Sequence, residues 1–222
     1  MFPLYDTARS RRFPVMNWLL VALNGFVFYH ELLLNQDALY RFVQTWGLIP
    51  ARFMADPLEA WITVFSSMFI HGGWFHILSN MWILIIFGDN IEDRMGAGRY
   101  LVFYLLSGMA AATLQMVLLP SSSMPMVGAS GAIAGVLGAY IVLFPGSRIA
   151  SLVPILFIFT VVEVRAWVFL GFWFLTQLFS GWLSLQGADV SGIAWWAHIG
   201  GFVFGLLMVP FFARRQAVYR VY

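Results

Sequence analysis

Residues 126–135 read Met-Val-Gly-Ala-Ser-Gly-Ala-Ile-Ala-Gly, which places a serine at position 130 among glycines at the start of an apolar run. The run continues to Phe144 and predicts a membrane-spanning helix over residues 128–144. A serine in such a helix ordinarily bonds back to its own backbone or to a neighbouring helix. Here glycines recur at spacings of three and four and leave one helical face without bulk: Gly128, Gly131, Gly135 and Gly138. We therefore predict that a second helix packs very close to Ser130.

The composition of the chain excludes an ordinary soluble domain. Hydrophobic residues make up 61% of the 222 residues and charged residues only 10%, whereas soluble domains are nearer half apolar and a quarter charged. Cysteine is absent, which excludes disulfides, thiolate catalysis and cysteine metal sites. The formal net charge of +2 is too small to indicate nucleic-acid binding. We predict an all-α, polytopic membrane helix bundle that forms one domain over residues 1–222, with short tails.

Six apolar segments of the chain are predicted to span the membrane as helices. They are residues 14–34, 75–88, 100–119, 128–144, 165–185 and 191–212. The long, aromatic-rich connection over residues 35–74 is predicted to rest partly in the membrane interface. A compact charged loop is expected over residues 89–99. Residues 149–162 are apolar but short, and their pattern leaves open a re-entrant piece, an interfacial piece or the start of the next helix.

Basic residues gather on one side of this predicted bundle. Six spans place both termini on the same side, together with most of the arginines: Arg9, Arg11, Arg12, Arg94, Arg99, Arg148, Arg214 and Arg215. The opposite loops contain Arg41 and Arg52. The positive-inside rule then puts both termini in the cytoplasm and the Ser130 end of its helix on the outer side. The short tails favour a bacterial or archaeal cell membrane.

A second candidate residue lies in the sixth predicted span. His198 is followed at i+3 and i+7 by Gly201 and Gly205, which share its helical face. A histidine inside a membrane span is costly unless it faces protein or trapped water, so it is a functional candidate by default. Packing this glycine face against the one beside Ser130 would bring imidazole and hydroxyl within hydrogen-bonding range. A serine hydroxyl becomes a nucleophile when a base takes its proton, so the pair predicts nucleophilic catalysis.

Two polar residues of the second predicted span complete this arrangement. His76 and Asn80 are four residues apart, so they lie one above the other on a helical face, at the same predicted depth as Ser130. Two donors beside a nucleophile stabilise a developing oxyanion, and the Ser130 backbone N–H at a helix N-terminus adds another. On Ser130 and His198 alone, two residues that merely bond neighbouring helices would explain the pattern equally well.

The sequence predicts a Ser–His dyad because no carboxylate lies at the expected depth of His198. Glu92 and Asp93 fall on the opposite side of the membrane, and Asp189 falls in a loop. A triad would need a carboxylate behind the imidazole.

Metal-dependent and phosphate-binding chemistries fit the sequence less well. His30 and Glu31 begin like a zinc-protease helix, but Leu34 stands where the second histidine ligand belongs. A zinc site built from the remaining histidines, His71, His76 and His198, would lack a supporting acidic residue. No phosphate loop or nucleotide fingerprint is present, and no cofactor or metal is expected.

Taken jointly, these motifs resemble those of the rhomboid intramembrane serine proteases along nearly the whole chain. The matching stretches are Gly128–Gly131, His198 with Gly201 and Gly205, His76 with Asn80, His71–Trp74 and Glu92–Gly96. The resemblance implies a six-helix fold with an outward-opening, water-filled cavity. It also implies that Ser130 is the nucleophile, His198 the general base, and His76 and Asn80 the oxyanion stabilisers. The implied function is an endopeptidase that cleaves transmembrane substrates near the outer leaflet of the lipid bilayer. The sequence does not indicate an oligomeric state.

The sequence departs from the family pattern at two positions. Ile62 follows Trp61 where the family often has arginine, and Ala134 stands four residues after the serine, where some members have an aromatic residue near the histidine. Neither change removes a catalytic group.

Two functions from other classes were weighed against proteolysis. The first is a catalytically inactive rhomboid-like protein that binds and escorts membrane helices, against which the presence of both Ser130 and His198 argues. The second is a small transporter, for which the spans show no run of charges and no inverted repeat.

Overall fold

The computed structural model describes residues 2–155, 158–187 and 192–214, and over them the chain is mainly helical. The helices are α1 (Val15–Leu33), α2 (Gln36–Trp46), α3 (Pro50–Ala55), α4 (Pro57–Ala60), α5 (Thr63–Ser66), α6 (Trp74–Met95), α7 (Ala97–Leu118), α8 (Ser130–Leu143), α9 (Ala166–Leu185) and α10 (Trp195–Phe212). A 3-10 helix, Ser67–Phe69, follows α5. The strands are β1 (Phe2–Asp6), β2 (Arg148–Ile155) and β3 (Ile158–Arg165). The prediction of a membrane helix bundle is confirmed.

Each predicted span falls on a helix of the structure. Among the described residues, α7, α9 and α10 are long and apolar enough to cross a membrane, and the bent pair formed by Thr63–Phe69 and α6 is a fourth candidate. The apolar helix α8 is shorter, with 14 residues, and α1 has 19. The remaining two predicted spans correspond to these two helices, and the total of six spans stays a prediction.

The charged loop expected after the second span is wrong. Helix α6 continues through these residues, and α7 begins directly after Gly96, whose φ of 83° is readily adopted by glycine. The buried Glu92 carboxylate accepts hydrogen bonds from the backbone N–H groups of Met16 and Asn17, at 3.0 and 2.8 Å. It thereby caps the first turn of α1, where unpaired N–H groups favour a negative charge. Glu92 therefore lies inside the bundle and not in an exposed loop.

The described part of the segment 149–162, residues 149–155 and 158–162, forms neither a helix nor a re-entrant segment. They belong to an antiparallel hairpin in which β2 and β3 pair along their whole described length. Residues 2–6, which were expected to belong to a short tail, form a third strand. This strand, β1, pairs antiparallel with β2 and places Asp6 opposite Ile149. Valine, isoleucine and threonine are frequent in the hairpin, which favours strands. The sheet order is β1-β2-β3.

Helix α8 lies at the centre of the bundle, and α9 lies at its outside. The ten consecutive residues from Gly131 to Tyr140 on α8 are all buried, and this helix packs against α6, α7 and α10. Only four of the 20 residues of α9 are buried, and its most extensive packing is against α10. The start of α8 is therefore enclosed by other helices on several sides.

The carboxyl group of Asp6 ties the start of the chain to the bundle. It accepts hydrogen bonds from the Tyr140 hydroxyl on α8 and, at 3.1 Å, from Asn90 Nδ2 on α6. Burial raises the pKa of Asp6 to about 7, the hydrogen bond from Tyr140 opposes this rise, and the nearby Asp89 charge adds to it. The carboxyl group therefore gains or loses its proton close to neutral pH.

We expect Asp6→Asn to remove part of the pH dependence of stability. Because the pKa of Asp6 rises from 3.8 to about 7 on folding, the folded state holds this proton more tightly than the unfolded state. The free energy of unfolding therefore falls as the pH rises from about 4 to about 7 and is level above that. Thermal unfolding in detergent, followed by circular dichroism, should show a larger fall for the wild type than for the variant. Equal falls would contradict the prediction.

Candidate active site

Helices α8 and α10 approach each other through their two glycine faces. A Cβ atom added at Gly201 would lie 1.9 Å from the carbonyl oxygen of Gly131. One added at Gly205 would lie 1.9 Å from the carbonyl oxygen of Gly135. Real Cβ contacts under 3.0 Å are essentially never seen, so no side chain fits at either position without movement of the backbone. The predicted close packing of the two glycine faces is confirmed.

Ser130 and His198 lie next to each other where these faces begin. Ser130 is the first residue of α8, and His198 is in the first turn of α10, which starts at Trp195. Ser130 Oγ lies 2.8 Å from His198 Nε2, which is hydrogen-bonding distance. His198 is nearer the helix end than the sequence suggested, because residues 192–194 are not helical. Ser191, where the span was expected to start, lies outside the described residues.

The second ring nitrogen of His198 has a partner that the sequence analysis missed. Gln177 on α9 is buried, and its Oε1 lies 2.8 Å from His198 Nδ1. Only carboxylates were expected to stand behind the histidine. The available signal was an amide in the middle of an otherwise apolar helix, since a polar group at membrane depth is costly without a partner. Asp189, one of the carboxylates considered, lies outside the described residues.

His76 on α6 presents one N–H group beside Ser130. Its Nδ1 lies 3.3 Å from the backbone N–H of Gly72, which donates to it, so a neutral imidazole carries its own proton on Nε2. That Nε2 faces Gly128, where an added Cβ would lie only 2.5 Å from it. Gly128 also has a φ of 117°, a conformation that favours glycine. This glycine is therefore required both by its own backbone and by the position of the imidazole.

Asn80, one turn further along α6, contributes a second N–H donor. Its Nδ2 is buried and has no hydrogen-bond partner among the described residues. The atom would lie 3.6 Å from a Cβ added at Gly128, so it is close to the same point as the His76 ring. A buried donor without a partner is uncommon in folded proteins and is often explained by a functional role.

A cavity of about 490 Å³ contains these four polar side chains in its lining. Ser130, His198, His76 and Asn80 share this lining with apolar residues such as Met68. A water molecule occupies about 30 Å³ in the liquid, so the cavity has room for water and for a short stretch of peptide. Every residue of the sequence-predicted site lines this one cavity.

Two tryptophan rings flank the His198 imidazole. The ring centres of Trp173 on α9 and Trp195 on α10 lie 6.0 and 6.1 Å from that of His198. No aromatic neighbour was expected from α8, because Ala134 stands at the position where some rhomboids have one. In this structure the aromatic surface comes from other helices.

The structure does not gather the histidines into a metal site. The rings of His71 and His76 are 5.0 Å apart between centres. Within residues 2–155, 158–187 and 192–214, no group of three or more histidine, cysteine or acidic side chains is placed to hold a metal ion. The zinc alternative weighed in the sequence analysis therefore gains no support.

Comparison with known proteins decides the family of this chain. A family model described as "Rhomboid domain" matches residues 58–215. The chain belongs to the rhomboid family. It is 30% identical over 156 residues to RHOMBOID-like protein 6, mitochondrial, of Arabidopsis thaliana, a match that covers 60% of this chain and 50% of that protein. It is also 30% identical over 175 residues to Rhomboid protein 1, mitochondrial, of Saccharomyces cerevisiae, covering 76% and 45%.

A more distant rhomboid relative comes from cattle. The presenilin-associated rhomboid-like protein, mitochondrial, of Bos taurus is 28% identical over 148 residues, covering 65% of this chain and 36% of that protein. The chain thus spans about half the length, or less, of these curated relatives. All three are eukaryotic and carry mitochondrial names, so they do not support the expectation of a bacterial or archaeal membrane.

Proposed function

We propose that this rhomboid is an intramembrane serine endopeptidase that cleaves transmembrane-helix substrates near the outer leaflet. The observation that carries the proposal is the 2.8 Å contact between Ser130 Oγ and His198 Nε2 at the wall of a cavity. An imidazole nitrogen at that distance can take the hydroxyl proton as the oxygen attacks a carbonyl carbon. A purely structural hydrogen bond between two helices would not need a cavity with two further donors beside it.

In the proposed first half-reaction, Ser130 Oγ attacks the scissile carbonyl and His198 Nε2 takes its proton. The negative charge that develops on the carbonyl oxygen is stabilised by His76 Nε2–H, Asn80 Nδ2–H and the Ser130 backbone N–H. The last of these has no partner within α8, because it belongs to the first residue of that helix. Collapse of the tetrahedral intermediate breaks the C–N bond, and the imidazolium gives its proton to the leaving amine.

In the second half-reaction, water attacks the acyl-enzyme on Ser130, with His198 again acting as base. The cavity beside the dyad has the volume to admit this water. Collapse of the second tetrahedral intermediate breaks the bond between the acyl carbon and Ser130 Oγ, and the His198 imidazolium returns its proton to that oxygen, which restores the starting hydrogen bond. A carboxylic acid and an amine are the products, and no cofactor or metal takes part in the proposed cycle.

A helical substrate cannot react before it is partly unwound. Its carbonyl groups accept hydrogen bonds from residues four positions later, and the backbone encloses the scissile bond. The proposed substrates are therefore membrane proteins whose helices contain destabilising residues near the cut. We propose that the cavity opens on the outer side and that both termini are cytoplasmic, which the distribution of arginines supports.

A fluorophosphonate probe tests the proposal directly. We expect it to label the detergent-solubilised wild type at Ser130, located by peptide mass spectrometry, and to leave Ser130→Ala unlabelled. Ser79→Ala is the matched control, since Ser79 lines the same cavity but its hydroxyl already donates to the His76 carbonyl at 3.0 Å. Labelling that survives Ser130→Ala would refute the nucleophile. Absence of labelling in a folded wild type would favour the inactive, helix-binding alternative.

A further inference from the structure

We propose that Gln177 is a positioning residue of this site, which holds His198 in the tautomer and orientation of a general base. It would occupy the place that a carboxylate has in a Ser–His–Asp triad. The contact lies between α9 and α10 and joins residues 21 positions apart in the chain. The inference rests on the proposed protease function for its catalytic meaning, but the tautomer that it assigns can be measured without any activity.

The tautomer follows from the chemistry of the amide oxygen. Gln177 Oε1 can only accept a hydrogen bond, so the His198 Nδ1 atom 2.8 Å away must donate one. A neutral imidazole has a single N–H group, so its Nε2 then has a free lone pair. That lone pair faces Ser130 Oγ at 2.8 Å. Nε2 is therefore ready to accept the serine proton.

The orientation of the Gln177 amide is itself fixed by its neighbours. Gln177 Nε2 lies 3.0 Å from Thr176 Oγ1 and 3.3 Å from the carbonyl oxygen of Trp173, and both can accept from it. Thr176 uses its own proton on the same Trp173 carbonyl, at 2.6 Å, which leaves its oxygen free to accept. Turning the amide over would place Oε1 against the Trp173 carbonyl and an N–H group against His198. The observed orientation is the one that satisfies all four groups.

A neutral amide suits this position better than a carboxylate would. Among the described residues that line the cavity, none is a lysine, arginine, aspartate or glutamate. An ionised carboxylate at the buried position of Gln177, behind His198, would thus find no compensating lysine or arginine on the cavity side. Burying such a charge is far more costly than burying a hydrogen-bonded amide. The amide dipole fixes the ring, although it stabilises the imidazolium less than a full negative charge would. The physical role of Gln177 is to orient the His198 ring while burying an amide, which costs less to desolvate than a carboxylate.

The tautomer of His198 is the first test, and it uses the wild-type protein. Nitrogen NMR of protein with ¹⁵N-labelled histidine distinguishes an Nδ1–H from an Nε2–H imidazole. The chain has four histidines, so the His198 signals are assigned by their loss in His198→Ala. We expect the Nδ1–H tautomer in the wild type and a loss of this preference in Gln177→Leu. An Nε2–H tautomer in the wild type, or an unchanged one in the variant, would overturn the inference.

The second test compares rates in Gln177→Leu, Gln177→Glu and the control Ser184→Ala. Ser184 is two turns further along α9, and its hydroxyl donates to the Gly181 carbonyl at 2.7 Å. Disturbing the tautomer behind a catalytic histidine can cost up to about 10⁴-fold in kcat. For Gln177→Leu we expect a fall of about 100-fold in kcat with KM unchanged. Gln177→Glu should recover most of this loss, because a glutamate buried without a cation stays protonated and its carbonyl oxygen still accepts from His198 Nδ1. The control should match the wild type.

The outcomes separate this inference from the protease proposal. Wild-type labelling at Ser130 together with wild-type rates in Gln177→Leu would refute the positioning role and leave the protease intact. A folded wild type that is never labelled would refute the protease, while the tautomer measurement would still decide what Gln177 does. If Gln177→Leu does not fold, Gln177→Glu and the wild-type spectrum still provide the decisive comparison.

Discussion

Ser130→Ala, His198→Ala and the double variant are all expected to lower turnover of a transmembrane substrate to the same low level, about 10⁴-fold or more below wild type. The two side chains act as a unit, because the hydroxyl is a weak nucleophile without the base and the base has no proton to take without the hydroxyl. Their contact of 2.8 Å is the structural basis for this expectation. The residual rate in all three variants should reflect substrate binding and the donors on α6, which remain in place.

The measurement is the kcat of a fluorogenic transmembrane substrate in proteoliposomes, with Ser79→Ala as the control that should retain wild-type turnover. Each variant is first checked for folding by gel filtration and circular dichroism. The decisive feature is the absence of additivity between the two substitutions. If the fold reduction in kcat of the double variant equalled the product of the two single-variant reductions, Ser130 and His198 would be acting independently. The proposed proton transfer between them would then be wrong.

Gly205→Ala is expected to lower the free energy of unfolding by about 3 kcal/mol or more. Its Cβ would lie 1.9 Å from the carbonyl oxygen of Gly135, 2.7 Å from the carbonyl carbon and 2.8 Å from Cα. Overpacking costs about 1–3 kcal/mol where side chains can yield, and more in unfavourable cases. All three neighbours here are backbone atoms, so α8 and α10 must move apart. Because the same contact sets the distance from Ser130 to His198, fluorophosphonate labelling should fall as well.

Gly171→Ala provides the matched control for this substitution. Gly171 also lies inside an apolar helix, α9, but an added Cβ would meet nothing within 4 Å. Alanine has the higher helix propensity, so the control should be as stable as the wild type or slightly more stable. Thermal unfolding in detergent, followed by circular dichroism, compares the two variants. Equal midpoints for Gly205→Ala and Gly171→Ala would show that the glycine contact does not hold the two helices together.

Local sequence patterns were sufficient for the features that depend on one helix at a time. Apolar length predicted helices where α1 and α6 to α10 lie. The glycine spacing around Ser130 and after His198 predicted two faces without bulk, and two such faces have one obvious way to pack. The four-residue spacing of His76 and Asn80 similarly predicted a shared face. These patterns were enough to predict which residues belong to the candidate site, although not the distances between them.

Features that depend on a distant partner could not be read from the same patterns. The strand pair β2–β3 is joined by a strand from the start of the chain. Its apolar sequence suits a membrane-embedded segment as well as a sheet. The charges after the second span suggested a loop, because nothing local shows that Glu92 caps α1 from inside the bundle. In both cases the partner lies about 75 or more residues away in the chain.

The sequence by itself thus determined the rhomboid helix pattern and the glycine-flanked serine at the start of α8, because helical periodicity and hydrophobic length are local properties. The tertiary structure decided what stands behind the histidine. A polar group at membrane depth needs a partner, but which partner it finds depends on how α9 lies against α10. That packing brings the Gln177 amide to His198 Nδ1 and leaves Nε2 to the serine.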